Sequence, residues 1–191
     1  TRMQVLTGDD VMIGGFIIQG DAAGDRVGWI VSSAGDVNGD GFADLIVGAH
    51  YGDDGGTSAG VTAADRIFMA FSFGPFVGFW AATEGARQLG ALMIPGGGRD
   101  SPQRLELMRD VGASVLCCTP TYALRLAEVA RETGFDLSSI PMKATVHAGE
   151  PGANVPSTKT RIEEVWSAKC FDHAGATEVG AHSFECSVQP G

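Results

Sequence analysis

Beyond residue 60 the chain alternates between short apolar runs and longer segments with helical spacing. The apolar runs are ALMIP, ASVLCC, KATVHAG and AKCFDHA, which have the continuous apolar character of strands covered on both faces. The helical segments are FWAATEGARQLG, SPQRLELMRDVG, TPTYALRLAEVARETG and STKTRIEEVWS, and Ser101 and Thr119 are the predicted N-caps of the middle two. The alternation predicts an α/β fold with a parallel, doubly wound sheet.

The first 60 residues differ from the rest in composition. They hold 2 Lys+Arg against 9 Asp+Glu, whereas residues 61–191 hold 11 against 14. Within them, residues 13–33 have short apolar runs separated by Gly-Asp turns, which predicts short antiparallel strands. The chain is therefore predicted to contain two units, a β repeat over 1–60 and an α/β domain over 61–191.

The overall charge restricts the partners. A formal net charge of −10 argues against nucleic acid or an anionic membrane surface. No apolar stretch approaches the roughly 20 residues that span a bilayer, and the start TRMQVLTGDD lacks the pattern of a signal peptide. Small molecules, cations or other proteins remain as partners, and the oligomeric state is left open.

The segment DVNGDGFAD places oxygen-bearing residues at alternating positions of a tight loop, with Gly41 permitting a sharp turn. Hard oxygen ligands at this spacing suit Ca²⁺, and the alternative is an ordinary acidic turn. The predicted ligands are the side chains of Asp36, Asn38, Asp40 and Asp44 and the carbonyl of Phe42.

Residues from about 13 to 52, which include GDRVGWIVSSAGDVNGDGFADLIVGA, resemble the FG-GAP repeat of integrin α-subunit propellers. That resemblance implies one blade of a calcium-binding β-propeller, in an extracellular or surface protein of the adhesion type. A single blade is expected to be marginal alone, because its few strands have bare edges and bury little.

Near the C-terminus, the segment FDHAGATEVG combines a predicted strand end with a polar turn. The strand is expected to end at Asp172 and His173, and the turn presents Thr177 and Glu178. A hydroxyl beside a carboxylate at the carboxyl end of a parallel strand suits a phosphate and its Mg²⁺, although a helix N-cap has the same pattern. The segment HAGEPGA follows another apolar run, so both loops are predicted at one sheet edge, where doubly wound folds bind ligands.

Five segments in order resemble the middle of phenylacetate–CoA ligase-like enzymes, which are AMP-forming, adenylate-forming ligases. They are AGVTAADRIFMAFSFGPFVGFW, GARQLGALMIPGGG, LMRDVGASVLCCTPTYALRLAEVARETG, AGEP and GATEVG, within about residues 61–191. The resemblance implies a partial N-terminal domain core of a cytoplasmic enzyme. It also implies that ATP and a carboxylic acid form an acyl adenylate, from which CoA takes the acyl group.

The resemblance assigns roles to individual residues. Thr177 becomes the phosphate contact and Glu178 the Mg²⁺ ligand. Ala174 stands where many members have a tyrosine that stacks on adenine, which puts that contact in doubt, and His173 either contacts a ligand or packs. The residues that match the nucleotide site are Gly149, Glu150, Pro151, Asp172, His173, Ala174 and Gly175.

Four aromatic residues are expected to line or adjoin the acid pocket, which suits an aromatic acid, although ordinary core positions are the alternative. They are Phe73, Phe76, Phe79 and Tyr122.

The cysteines favour no structural zinc site, because no CxxC pair occurs. Cys117 and Cys118 are predicted to be buried thiols within an apolar strand. Cys170, His182 and Cys186, with a later ligand, are weaker candidates for Zn²⁺, since fewer than four ligands are visible.

Two departures from the ligase pattern affect the expected activity. An acidic repeat stands where the lysine-containing phosphate loop is expected, and the mobile C-terminal domain with its catalytic lysine is expected beyond Gly191. The resemblance therefore implies a ligase fragment that is inactive alone. The alternatives are a calcium-binding structural or adhesion module and a non-functional chimera, and the two units imply different cellular locations.

Overall fold

The computed structural model describes residues 10–13, 16–19, 27–35, 44–49, 59–72, 74, 77–176 and 180–185. Side chains are described from residue 59 onward, except those of 77–79, 81, 176 and 180–183. Among the helices of this part, none is long and apolar enough to cross a membrane.

Two antiparallel hairpins form the described part of the N-terminal unit. Strand β1 (Asp10–Ile13) pairs with β2 (Phe16–Gln19), and β3 (Val27–Gly35) pairs with β4 (Asp44–Ala49). The prediction of short antiparallel strands is confirmed. The two strands flank the acidic segment in sequence, and Gly35 is paired with Asp44. Assembly into a propeller blade stays a prediction.

A six-stranded sheet forms the centre of the α/β unit. Its order is β10-β9-β8-β7-β5-β6; β5 to β9 are parallel, and β10 is antiparallel to β9. The strands are β5 (Arg66–Met69), β6 (Leu92–Pro95), β7 (Val115–Cys118), β8 (Ala144–His147), β9 (Lys169–Ala176) and β10 (Gly180–Phe184). The predicted parallel α/β fold is confirmed.

Helices cover both faces of this sheet. They are α1 (Val77–Leu89), α2 (Ser101–Val111), α3 (Pro120–Thr133) and α4 (Pro156–Trp166). On one face, Phe68 and Leu116 pack in the larger core with α2 to α4. Their helix partners are Leu105, Leu126 and Ile162.

The other face of the sheet carries the smaller core. The neighbouring strand residues Ile67, Met69 and Val115 point to this face and pack with Ala82 and Ala86 of α1. The sheet is therefore doubly wound, because successive strand residues alternate between faces.

Capping at the start of α2 corrects one prediction. Asp100, not Ser101, is the N-cap, because its carboxylate accepts from the Gln103 amide at 2.9 Å. The Asp100 amide donates in return to the side-chain oxygen of Gln103 at 3.3 Å, which completes a capping box. Thr119 caps α3 as predicted, and Gly112 and Gly134 end α2 and α3 in the left-handed conformation.

Strand β9 continues beyond its predicted end at Asp172 and His173. It runs to Ala176, because its last residues leave the parallel sheet and pair with β10. Gly175 pairs with Ala181 and Ala174 with Ser183, so the hairpin satisfies backbone groups that a turn would leave to solvent.

Side-chain carboxylates cover the part of β9 that β10 does not reach. The Cys170 amide donates to Glu163 at 3.1 Å, and the Asp172 amide donates to Glu185 at 3.0 Å. Lys159 of α4 forms an ion pair with the buried Glu185. These carboxylates take the place of a neighbouring strand along that stretch.

A buried carboxylate ties the entry of the α/β unit to the sheet. Asp65 accepts from Thr62, from the Ser114 hydroxyl at 2.7 Å and from Lys143 at 2.5 Å. Burial opposes ionisation, but these bonds lower the pKa of Asp65 to about 2. Lys143 also donates to the carbonyl of Gly60 at 3.0 Å, just ahead of the predicted boundary at residue 61. The boundary itself stays a prediction.

Candidate functional site

The strand order reverses between β5 and β7. The chain passes from β5 to β6 on one side and then returns to place β7 on the other side of β5. All five parallel strands end at one edge of the sheet, here called the ligand edge. Doubly wound folds bind ligands at the carboxyl ends of strands beside such a reversal. The AGEP loop follows β8, and the first two residues of the GATE segment, Gly175 and Ala176, end the adjacent strand β9.

The AGEP loop is tied to the start of α3. The Glu150 carboxylate accepts from the Thr121 amide at 2.8 Å and from the Thr121 hydroxyl. These bonds lower the pKa of Glu150, and the positive end of the α3 dipole favours the same charge. Gly149 has φ 92°, in the left-handed region. The described contacts of the Glu150 carboxylate are thus with α3, and contact of the loop with adenine stays a prediction.

A buried histidine that sequence reasoning missed lies next to this loop. His147 ends β8 with no exposed surface, and its Nδ1 lies 3.1 Å from the carbonyl of Cys118. A carbonyl only accepts, so Nδ1 carries the proton and Nε2 is left as the acceptor. Nε2 has no hydrogen-bond partner among the described residues. Burial lowers the pKa of His147 to about 4, so its ring is neutral near pH 7.

The predicted nucleotide residues of β9 lie on its hairpin with β10. Asp172 lies beside His147, the last residue of β8, as its partner in the parallel pairing. The ring of His173 stacks on Phe184, with centroids 4.7 Å apart and planes inclined by 12°. Ala174 is half-buried and Gly175 is exposed. Asp172 thus ends the parallel part of β9, and His173, Ala174 and Gly175 lie beyond it in the pairing with β10. Their nucleotide contacts remain predictions.

Tyr122 lies in the first turn of α3 and contacts α2. Its hydroxyl is 2.9 Å from the Ser101 hydroxyl, and the Arg104 guanidinium lies 5.1 Å from its ring centroid. Phe73 and Phe76 lie outside the described residues, and Phe79 lies in α1 with an undescribed side chain. The acid pocket as a whole therefore stays a prediction.

The remaining predicted ligands lie mostly outside the described residues. Thr177 and Glu178 do, as do Cys186 and four calcium ligands, Asp36, Asn38, Asp40 and Phe42. Asp44 begins β4, and His182 lies at an irregularity of β10 between Ala181 and Ser183, both without a described side chain. No group of three potential metal ligands occurs among the described residues. The magnesium, calcium and zinc sites stay predictions.

The three described cysteines are free thiols within the sheet. Cys118 is buried as predicted, whereas Cys117 is only partly buried and faces the side covered by α1. Burial raises the pKa of Cys117 to about 12 and that of Cys170 to about 11. Thiols with such pKa values are protonated at pH 7 and are poor nucleophiles or metal ligands.

The comparison with protein families bears on the N-terminal unit. Residues 27–63 match the FG-GAP repeat family. The match starts inside the stretch whose sequence resembles this repeat and extends past residue 60. Ala59 packs against the smaller core of the α/β unit, and Gly60 accepts from Lys143.

Comparisons with curated proteins bear on the α/β unit. The phenylacetate-coenzyme A ligase of Escherichia coli (strain K12) is 32% identical over 123 residues, which are 64% of this chain and 28% of that enzyme. The corresponding enzyme of Pseudomonas putida is 26% identical over 122 residues, covering 64% of this chain and 27% of the enzyme. The chain thus spans less than a third of the length of these relatives.

A solved structure shares the fold of the same region. It is 2-hydroxyisobutyryl-CoA ligase in complex with 2-HIB-AMP and CoA, with 30% identity and a TM-score of 0.65. The alignment covers 70% of this chain and 29% of that one. The α/β unit is therefore similar in sequence and fold to phenylacetate–CoA ligases and related adenylate-forming acyl-CoA ligases.

Proposed function

We propose that the α/β unit binds ATP and an acyl adenylate at the ligand edge, as part of an AMP-forming acid–CoA ligase. The observation that carries this proposal is the likeness to an acyl-CoA ligase that holds 2-HIB-AMP and CoA. The reversal of strand order between β5 and β7 supports it, because doubly wound folds take ligands beside such a reversal. For this chain by itself, the proposal is binding without turnover.

The proposed chemistry has two steps. A carboxylate oxygen of the acid attacks the α-phosphorus of ATP, and pyrophosphate leaves. The thiolate of CoA then attacks the acyl carbon, and AMP leaves. Both steps depend mainly on positioning and on neutralising phosphate charge. Thr177 is proposed to donate to a phosphate oxygen, Glu178 to hold Mg²⁺, and residues 149–151 to border the adenine.

The proposed acid is an aryl acid. Phe73, Phe76 and Phe79 occur in one short segment that follows β5, and aromatic rings pack well against an aryl group. The curated relatives named above are phenylacetate–CoA ligases, which favours the same class.

Calorimetric titration of the purified chain tests the proposal. The ligands are ATP with Mg²⁺ and a stable sulfamoyl analogue of phenylacetyl adenylate. Both are expected to bind, and Thr177→Ala is expected to weaken binding about tenfold, since it removes a hydrogen bond to a charged group. Thr133→Ala is the matched control, because the Thr133 hydroxyl bonds to Val129 at the other end of α3. Failure of both ligands to bind would overturn the proposal.

We also propose calcium binding by the N-terminal unit, favoured by the FG-GAP match at residues 27–63. The loop between β3 and β4 would supply the oxygen ligands predicted above. Calcium titration and thermal melts in calcium test this, and Asp40→Ala is expected to reduce both affinity and stabilisation. Asp53→Ala, outside the loop, is the control. Equal calcium affinity in the Asp40 variant and the parent chain would contradict the proposal, and a chain binding neither calcium nor nucleotide would favour the chimera.

A further inference from the structure

Arg104 joins the ends of two neighbouring parallel strands. It lies in the N-terminal part of α2, and this end of the helix faces the ligand edge. Its Nε donates to the carbonyl of Gly96 at 2.9 Å, and its Nη1 donates to the carbonyl of Ala70 at 3.1 Å. Ala70 directly follows β5 and Gly96 directly follows β6. One side chain therefore holds both strand exits beside the reversal of strand order.

The same guanidinium reaches a third element. Its carbon lies 5.1 Å from the ring centroid of Tyr122 in α3, and the Tyr122 hydroxyl lies 2.9 Å from that of Ser101. A planar guanidinium can bond to two carbonyls and stack on an aromatic ring at once. A lysine ammonium lacks this flat, forked shape, so it cannot reproduce all three contacts.

The backbone that Arg104 holds is closely packed. The Gly96 amide donates to the carbonyl of Met69 at 2.8 Å. A Cβ on Gly96 would lie 2.6 Å from the Phe68 ring, and one on Gly97 would lie 3.1 Å from the Cα of Ser72. Gly96 and Gly97 are thus packed against the exit of β5, where a larger side chain would not fit without a shift. Residues 70–72 lead from there toward the predicted aromatic residues of the acid pocket.

We propose that Arg104 is a positioning residue for the acid pocket. By joining Ala70, Gly96 and Tyr122, it holds the exit of β5 in the place from which the pocket is built. The inference rests on the proposed function for its ligand and on the contacts above for its geometry. Because Arg104 acts through backbone carbonyls, its loss loosens residues 70–72 and weakens acid binding without removing a group that touches the acid.

Amide hydrogen exchange and phenylacetate titration on the full chain test this inference. In Arg104→Gln, exchange at the Ala70 and Gly96 amides is expected to rise about tenfold, and phenylacetate affinity to fall about tenfold, as the loss of charge-assisted bonds predicts. Exchange at Val146 in β8 should stay unchanged and serves as the internal reference. Arg109→Gln, on the same helix but paired with Asp110, is the matched control and should leave both readouts unaltered.

Unchanged exchange at Gly96 in Arg104→Gln would overturn the inference, because the substitution would then have no local effect. An equal rise at Gly96 and Val146 would also overturn it, because the effect on exchange would then be global. If the parent chain takes up no phenylacetate, the proposed aryl-acid function fails, and exchange at Gly96 still decides whether Arg104 positions the β5 exit. If Arg104→Gln does not fold, Arg104→Lys replaces it, and exchange at Gly96 is expected to rise above that of the parent chain while exchange at Val146 does not. Parent-like exchange at Gly96 in the lysine variant would overturn the inference.

Discussion

His147 is the residue whose burial has the clearest consequence for pH dependence. Its folded pKa of about 4 lies below its ordinary value of 6.5. Between these values the unfolded chain binds a proton that the folded chain does not, so acid favours unfolding. The contribution of His147 to stability is fully present above pH 6.5 and is lost as pH falls toward 4.

We predict that His147→Gln flattens this dependence. The parent chain is expected to lose about 3 kcal/mol of unfolding free energy from this group across the window, since one pKa unit corresponds to about 1.4 kcal/mol. Glutamine at position 147 does not titrate in this pH window, so the variant lacks this loss. Urea titrations followed by helical circular dichroism measure the difference, because all described helices belong to the α/β unit. Parallel losses in the two proteins would contradict the prediction.

Asp65 titrates in a more acidic window. Its folded pKa of about 2 lies below the ordinary 3.8, so its stabilisation is present above pH 3.8 and is lost as pH falls to about 2. We predict that Asp65→Asn lowers the unfolding free energy at neutral pH by about 2 kcal/mol, because a nearly buried acceptor of several bonds loses its charge.

The same urea titrations measure this loss. Asp110→Asn is the control, since the Asp110 side chain is 61% exposed and pairs only with its neighbour Arg109 among the described ion pairs. Equal losses in the two variants would mean that the Asp65 bonds add nothing specific.

At this scale, sequence reasoning reaches some local features, although it places the cap of α2 one residue late, and it misses contacts between distant residues. It predicts Thr119 as a cap, since the cap bonds only three residues along the chain. It misses Asp65, whose partners Ser114 and Lys143 are 49 and 78 residues away. It also misses His147, because an orphaned ring nitrogen depends on neighbours that only the folded sheet supplies.

Among the elements, α2 offers a direct check of its cap. We predict that Asp100→Ala lowers the unfolding free energy by about 1 kcal/mol, because the Gln103 amide loses its acceptor. Asp100→Ser keeps a capping oxygen and should cost only a few tenths of that figure. Chemical denaturation compares the two, and equal costs would argue that the carboxylate does not act as the cap.

The elements that sequence reasoning predicts best are those whose signals lie within a single segment. The four helices and strands β6 to β8 follow from apolar spacing, proline and closing glycine. Sequence reasoning does not single out β5, a four-residue strand within a longer apolar stretch. It also ends β9 too early, because the pairing with β10 that extends it is a tertiary effect. That AGEP follows β8 and that GATE begins in the adjacent parallel strand β9 agrees with the prediction, since it follows from topology alone.

For the whole molecule, contacts of the first residues define where the α/β unit is predicted to start. Val61 is buried in the smaller core, and Thr62 bonds to Asp65. We predict that a chain starting at residue 59 keeps the helical melting of the full chain, whereas one starting at residue 64 loses about 3 kcal/mol, because it lacks both contacts. Equal stability of the two shortened chains would place the boundary at or after residue 64.

The carboxylates of Glu163 and Glu185 have a consequence for self-association. They occupy the outward amides of Cys170 and Asp172, so that stretch offers no free donors on which a strand of another copy could build. Fibril-like growth of this sheet is therefore blocked along that part of β9. At the opposite edge, β6 carries an exposed Leu92 and is protected by Pro95, which lacks a donor.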